Sequence, residues 1–122
     1  MAKHNDIGAV GEQLAADFLL SHGYSILCRN WRSHHCEIDI IAEERGTIVF
    51  VEVKTRTSSP FADPVAAVSV SKISHLAEAA DDFMSSLDSS CDFRFDVVSV
   101  IIQKHGLPVI SHIKDAFLPP LL

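Results

Sequence analysis

Asp39, Glu52 and Lys54 are the residues of this chain whose types and spacing could do chemistry. Each stands in a run that otherwise reads as core, Glu37-Ile-Asp-Ile-Ile-Ala42 and Ile48-Val-Phe-Val-Glu-Val-Lys54. Side chains alternate along a strand, so Ile38, Ile40 and Ala42 are expected on one face, and Glu37, Asp39 and Ile41 on the other. In the second run Val49, Val51 and Val53 share a face, and Ile48, Phe50, Glu52 and Lys54 share the opposite one. A buried carboxylate without a partner is strongly unfavourable, so such acids call for a cation, a hydrogen-bond network or water. Glu43-Glu44-Arg45-Gly46 has the length and the glycine of a hairpin loop. A turn centred on Glu44-Arg45 puts Asp39 opposite Phe50, with Glu52 as its diagonal neighbour. Two carboxylates and an ammonium then converge at one end of a sheet. That set suits a hard cation such as Mg²⁺, which keeps several waters and completes its octahedron with phosphate oxygens. Such an ion activates a water and polarises a phosphodiester, and Lys54 can steer that water or offset transition-state charge. Glu-x-Lys on its own also describes a surface salt bridge with Asp39 at a strand edge. The conjunction of all three favours the site.

The elements that must position these groups follow from periodicity. Asn5 or Asp6 can cap a first helix that runs to about Ser21 and stops at His22-Gly23. Ile7, Val10, Leu14, Phe18 and Leu19 form its apolar stripe. Glu12 borders that stripe, and Gly8 and Gly11 would let the helix approach a sheet closely, which makes Glu12 either a fourth site member or a solvated flank residue. Strands are expected at Tyr24 to Trp31, Glu37 to Ala42, Thr47 to Thr55, Phe93 to Gln103 and Val109 to Ile113. Thr57-Ser-Ser-Pro60 and Asp63-Pro64 mark a loop. A second helix is expected from about Ser71 to Leu87, with Ile73, Leu76, Ala80, Phe83 and Leu87 on one face. The order α-β-β-β-α-β-β describes a single mixed α/β domain with helices against a central sheet, over residues 1–122. Phe117-Leu-Pro-Pro-Leu-Leu122 reads as a short apolar tail, docked, frayed or partner-binding.

Arg29, Arg32 and Arg56 flank the proposed site from the strand ends, with Trp31 among them. They read as a phosphate-contact patch with one stacking aromatic, or as surface charge around a core tryptophan. Arg56 follows the Glu-x-Lys strand directly, which favours phosphate contact there. Lys72 stands in the first turn of the second helix, against the helix dipole, which points to a substrate role. Glu78, Asp81, Asp82, Asp88, Asp92 and Asp96 read as a solvated acidic face.

The 122 residues are 48% hydrophobic and carry a net charge of -6, and mean hydropathy is +0.22. No apolar stretch approaches the roughly 20 residues that span a bilayer, and no apolar signal-peptide core follows Met1. Cys28, Cys36 and Cys91 are an odd count without metal-ligand spacing, so a reduced, cytoplasmic protein is expected. His34-His35-Cys36 lacks a second ligand pair and reads as a loop cluster rather than a zinc site. Cys28 and Cys91 read as small buried hydrophobes. There is neither a Gly-x-Ser-x-Gly turn nor a phosphate-binding glycine loop. The acidity argues against a protein that coats nucleic acid without specificity. Residues 1–60 carry 6 basic and 8 acidic side chains. Setting aside Glu12, Asp39 and Glu52 leaves that half close to neutral, so the acidity predicts weak, metal-dependent binding rather than none.

Gly8-x-x-Gly11-Glu12-x-x-Ala15-Ala16, Gly23-Tyr24-x-Ile26-Leu27-x-Arg29-Asn30-Trp31-Arg32, Glu37-Ile-Asp-Ile-Ile41 and Val49-Phe-Val-Glu-Val-Lys-Thr-Arg56 together resemble the YraN family of bacterial proteins. That family is described as predicted endonucleases similar to Holliday-junction resolvases of the PD-(D/E)xK nuclease superfamily. The resemblance runs from about Gly8 to Asp96. It implies a restriction-endonuclease-like fold in which Asp39, Glu52 and Lys54 occupy the nuclease-core positions and Glu12 the helix glutamate. It implies Mg²⁺ or Mn²⁺ held by Asp39, Glu52 and Glu12. The implied partner is DNA, branched or otherwise structured, contacted by Arg56, Arg32, Arg29 and Lys72. Symmetric cutting of two strands would call for a homodimer. Fold alone does not establish activity, so a silent nuclease-fold module that binds nucleic acid or a protein partner is the alternative. One departure is local: Cys36 stands where family members usually place a glycine before Glu-Ile-Asp.

Overall fold

A computed structural model describes residues 3–34, 36–57, 69–87 and 90–117. The chain forms α1 (Lys3–Ser21), β1 (Ser25–Ser33), β2 (Cys36–Glu44), β3 (Thr47–Arg56), α2 (Val70–Ser85), β4 (Phe93–Ile101) and β5 (Val109–Ile113). The strands make one five-stranded sheet in the order β1-β2-β3-β4-β5. All neighbours are antiparallel except β3 and β4, which are parallel. A parallel pair cannot be closed by a hairpin, and α2 supplies the crossover. This is the expected element order.

The two helices cover opposite faces. On the α1 side Ala15, Ala16 and Leu19 pack on Ile40, Ala42, Val49, Val51, Val98 and Val100. On the α2 side Leu76, Ala79, Ala80 and Phe83 pack on Ile38, Ile41, Ile48, Phe50 and Phe95. A sheet buried on both faces needs strands apolar on both faces, and β3 and β4 have that composition. Fully burying one such aliphatic or aromatic side chain is worth about 1.5–3 kcal/mol. Trp31 packs edge-on against Phe83, with centroids 5.5 Å apart, so it is a core anchor rather than a stacking platform. Cys36 is the buried cysteine, whereas Cys28 and Cys91 are half-buried at the margin of the α2-side core.

Several boundaries differ from expectation. α1 begins at Lys3, so Asn5 and Asp6 lie inside the helix rather than at its start. Helix starts are weakly specified, because the first turn's N–H groups lack intrahelical partners wherever the helix begins. α2 is capped by Ser69, whose hydroxyl accepts from the Lys72 amide at 3.1 Å. At the other end of α1 the expected stop holds. Gly23 has a φ of +89°, and the Tyr24 amide donates back to the Leu19 carbonyl at 3.0 Å. The expected loop around Pro60 and Pro64, Asp88 and residues 118–122 lie outside the described residues. Phe117 stacks on Phe95 at 5.3 Å, so the entry to the tail is docked.

The acidic face is also corrected. Glu78, Asp81 and Asp92 are exposed, but Asp96 is fully buried. Arg94 donates to it through Nε and Nη2, at 3.0 and 3.2 Å. His112 Nε2 lies 2.7 Å from its Oδ2, and the Asp115 amide donates to Oδ1 at 3.0 Å. Burial works to raise its pKa, but the hydrogen bonds from His112, Arg94 and Asp115 outweigh burial and hold it below the usual carboxylate value. A depressed native pKa stabilises the fold above the unfolded-state value near 4, and that contribution is lost as pH falls through the native one. Asp96→Asn should therefore cost about 3 kcal/mol in urea unfolding at pH 7, as expected when one partner of a buried ion pair is removed. The gap to wild type should shrink below pH 4.

A candidate metal centre where two strands part

The β2–β3 hairpin turns at Arg45-Gly46, with φ of +51° and +84°, and Glu44 pairs with Thr47. Positive φ at both central positions is the type I′ signature, which suits the twist of a hairpin. The loop is one register step from the turn expected at Glu44-Arg45. Ile41 therefore pairs with Phe50, and Ile40 with Val51. Continuing that register places Asp39 opposite Glu52 rather than Phe50, which corrects the diagonal placement.

The ladder stops there. Beyond Ile40 and Val51, β2 stays paired with β1 as far as Ser33–Cys36, whereas β3 stays paired with β4 as far as Arg56–Ile101. The sheet forks at Asp39 and Glu52. The Val53 amide, freed from β2, donates to Asp39 Oδ2 at 2.8 Å. Strict alternation also fails here, since Ile38 joins the α2-side core and Ile40 the α1-side core. β1 is irregular at the matching point, where Asn30 adopts a φ of +54°. Asparagine tolerates that region better than most residues.

Glu52 is 4% exposed. Its Oε2 lies 3.6 Å from Lys54 Nζ and 3.5 Å from Lys72 Nζ. Asp39 shares a hydrogen bond with Glu52. Burial first, then that bond and the Glu52 charge, push Asp39 up to about 8, against the lowering effect of the Val53 amide. A protonated Asp39 beside the Glu52 side chain in a poorly solvated crevice is a donor set that can take up more positive charge. A divalent cation fits such a pair by replacing the proton.

Glu12 faces the same crevice. Gly8, Glu12, Asp39, Val53, Lys54 and Thr55 line a cavity of about 370 Å³. Glu12 Oε1 already accepts from Asn30 Nδ2 at 2.9 Å and Arg29 Nη2 at 3.2 Å, and Arg29 Nη1 donates to Gln13 Oε1 at 2.9 Å. Among the described residues no three His, Cys, Asp or Glu side chains converge on a single point. Glu12 and Asp39 line the same cavity, with the Glu12 carboxylate engaged by Asn30 and Arg29.

Of the basic residues, Lys72 comes to the acid pair and Arg29 is committed to Glu12. Arg32 is on the rim, 82% exposed and paired with Glu37 at 3.0 Å. Arg56 ends β3, where its carbonyl accepts from the Ile102 amide at 2.8 Å. A second cavity, of about 510 Å³, opens on the α2 side between Arg32, His34, Cys36, Glu37 and Lys72. Asp82 is exposed as expected, and it also accepts from Ser33 and pairs with His34, linking the β1–β2 turn to α2. Burial pushes the Cys36 thiol up, so it is a poor thiolate. Asn30 and Asp96 were missed. The available signals were an asparagine inside a strand run and Arg94-x-Asp96, which repeats on β4 the charged i, i+2 pattern of Glu52-x-Lys54.

A five-stranded mixed sheet between two helices, with acids and lysines gathered at a strand fork, defines a nuclease-like α/β protein. The chain belongs to a family within that description, the uncharacterised protein family UPF0102 (the YraN family), whose profile matches residues 11–100. A UPF0102 protein of Bacteroides thetaiotaomicron is 46% identical over 121 residues, covering 99% of each chain. A UPF0102 protein of Caldicellulosiruptor bescii is 48% identical over 115 residues, 91% of this chain and 96% of its own.

The two helical glycines of α1 differ. A β-carbon at Gly11 would overlap Thr55 Oγ1 and lie 2.5 Å from its Cγ2, whereas one at Gly8 meets nothing within 4 Å. Only Gly11 sets the close approach of helix to sheet, which corrects the paired expectation. Gly11→Ala should destabilise the fold by about 1–3 kcal/mol through overpacking. Gly8→Ala should be neutral or stabilise by up to about 1 kcal/mol. Urea unfolding of both variants checks this. A raised Asp39 pKa also has a sign: the native state holds a proton that the unfolded state loses near pH 4, so metal-free stability falls as pH rises from about 4 to 8. Asp39→Asn should abolish that decline in chelator-containing buffer, leaving the variant more stable than wild type at pH 8.

Proposed function

We propose that this protein is a Mg²⁺-dependent endonuclease hydrolysing DNA phosphodiesters, with branched or otherwise structured DNA as its substrate class. The observation that carries the reading is the meeting of Asp39 and Glu52 at the strand fork with lysines within 4 Å of Glu52. Asp39 and Glu52 would hold the ion, Mg²⁺ or Mn²⁺. When bound, it would supply Lewis-acid polarisation and an acidified water. Asp39 gives up its proton on loading and keeps its orientation through the Val53 amide. Lys54 opens into the same cavity as Asp39, where its ammonium can orient the attacking water and offset negative charge on the phosphoryl group. Glu12 acts from the wall of that cavity, directly or through water, its carboxylate oriented by Asn30 and Arg29. Arg32, Arg56 and Lys72 supply phosphate contacts. A homodimer would align two such sites for paired cuts.

A second reading, a nuclease-fold module that binds nucleic acid or a protein partner without cutting, is favoured by the net charge of -6 and by the commitment of Arg29 to Glu12. Cleavage of duplex, flap and four-way-junction DNA separates the two readings. Wild type should cut in Mg²⁺ or Mn²⁺ and not in chelator, and Glu52→Gln should lower the rate on the order of a hundredfold, the scale of removing one preorganised charge. Activity undiminished in Glu52→Gln, or calorimetry showing Asp39→Asn binding Mn²⁺ as well as wild type does, would sink the enzyme reading.

A further inference from the structure

Glu52 is engaged by two ammoniums through one oxygen, and those ammoniums open to different sides. Lys54 faces the α1-side cavity with Asp39 and Glu12. Lys72 faces the α2-side cavity with Arg32 and His34. A divalent cation on the acid pair would supply charge that both ammoniums now supply to Glu52, so one of the two lysines could then be released. Lys72 comes from the first turn of α2, where a cation works against the helix dipole and adds nothing to helix stability. It is also the more exposed of the two, at 39% against 30%.

We propose that Lys72 is an exchangeable counter-charge: it holds Glu52 in the metal-free protein, and when a divalent cation takes that carboxylate its ammonium turns into the α2-side cavity and binds a phosphate of the nucleic acid. The inference rests on the metal-dependent reading above, which already gives Lys72 a phosphate contact, and adds the exchange that links that contact to metal loading. The receiving cavity is suited to an anion. Arg32 and His34 line it, and their present partners, Glu37 and Asp82, are surface acids whose ion pairs are cheap to exchange. Metal loading therefore releases a cation toward substrate at the moment the site becomes competent, coupling the two binding events through a single side chain.

The coupling predicts effects of opposite sign, which a structural role cannot produce. Lys72→Gln removes a charge that competes with the metal for Glu52, so calorimetry should show Mn²⁺ binding tighter by about three- to tenfold. The same variant should bind fluorescein-labelled junction and duplex DNA more weakly in Ca²⁺, by about three- to tenfold. Lys72→Arg should restore DNA binding to near the wild-type level. Circular dichroism confirms that the variants are folded. Folded Lys72→Gln that weakens both ligands together, or changes neither, overturns the proposal. Wild type that binds Mn²⁺ but no DNA overturns it too. Wild type that binds neither Mn²⁺ nor Mg²⁺ overturns the metal-dependent reading itself, so the two failures are distinguishable.

Discussion

The rest of the site depends on one hydrogen bond, from the Val53 amide to the Asp39 carboxylate. Two antiparallel strands separate at this point, and separation leaves a buried amide without its ladder partner. An orphaned amide of this kind costs about 1–3 kcal/mol. A side-chain carboxylate one step beyond the last backbone pair satisfies it and is thereby fixed in place, facing Glu52. Structure and chemistry share an atom here. The acid that terminates the ladder is also the acid whose proton affinity burial and the neighbouring Glu52 raise, so one side chain serves both the strand fork and the donor set.

The fork in turn depends on its supports. β1 and β2 continue past it as an arm held against α2 by Trp31 on Phe83 and by Asp82 beneath the turn. β3 continues past it against β4, and α1 lies on this stretch closely enough that a β-carbon at Gly11 would overlap Thr55. Glu12 follows Gly11, so the same close approach brings its carboxylate to the cavity. The neighbouring strands β4 and β5 are tied together separately, by Asp96 with Arg94 and His112. That network carries buried charge away from the acid pair, and the two acids have opposite fates. Hydrogen-bond donors and cations win over burial at Asp96, whereas burial and a neighbouring carboxylate win at Asp39.

Most of the architecture was legible before any coordinates. The element order, the last strand and the face occupied by Val49, Val51 and Val53 follow from periodicity, because buried faces must be apolar at the period of their element. The charged residues stood out for the same reason, as breaks in apolar runs. The rule finds Glu52 and Lys54, and applied evenly it also marks Arg94 and Asp96, although Asp96 reads with the exposed acids around it. The misplaced helix start and the one-step error at Arg45-Gly46 have a common origin. Termini and turns are decided by a few hydrogen bonds that leave little imprint on hydrophobic pattern.

The amino-acid sequence by itself determined which residues must be buried, which charges had to be exceptional, and that two acids and a lysine would meet near one sheet end. Tertiary structure alone decided how they meet. It set Asp39 directly across from Glu52, because a two-residue turn rather than a longer loop fixed the register. It brought Lys72 to Glu52 from a helix 20 positions away in sequence, and it turned Glu12 toward Arg29 and Asn30. The physical reason is range. Burial preference acts residue by residue and is written in composition, whereas ion pairs and proton sharing vary steeply with separation and local polarity, which only the folded chain sets.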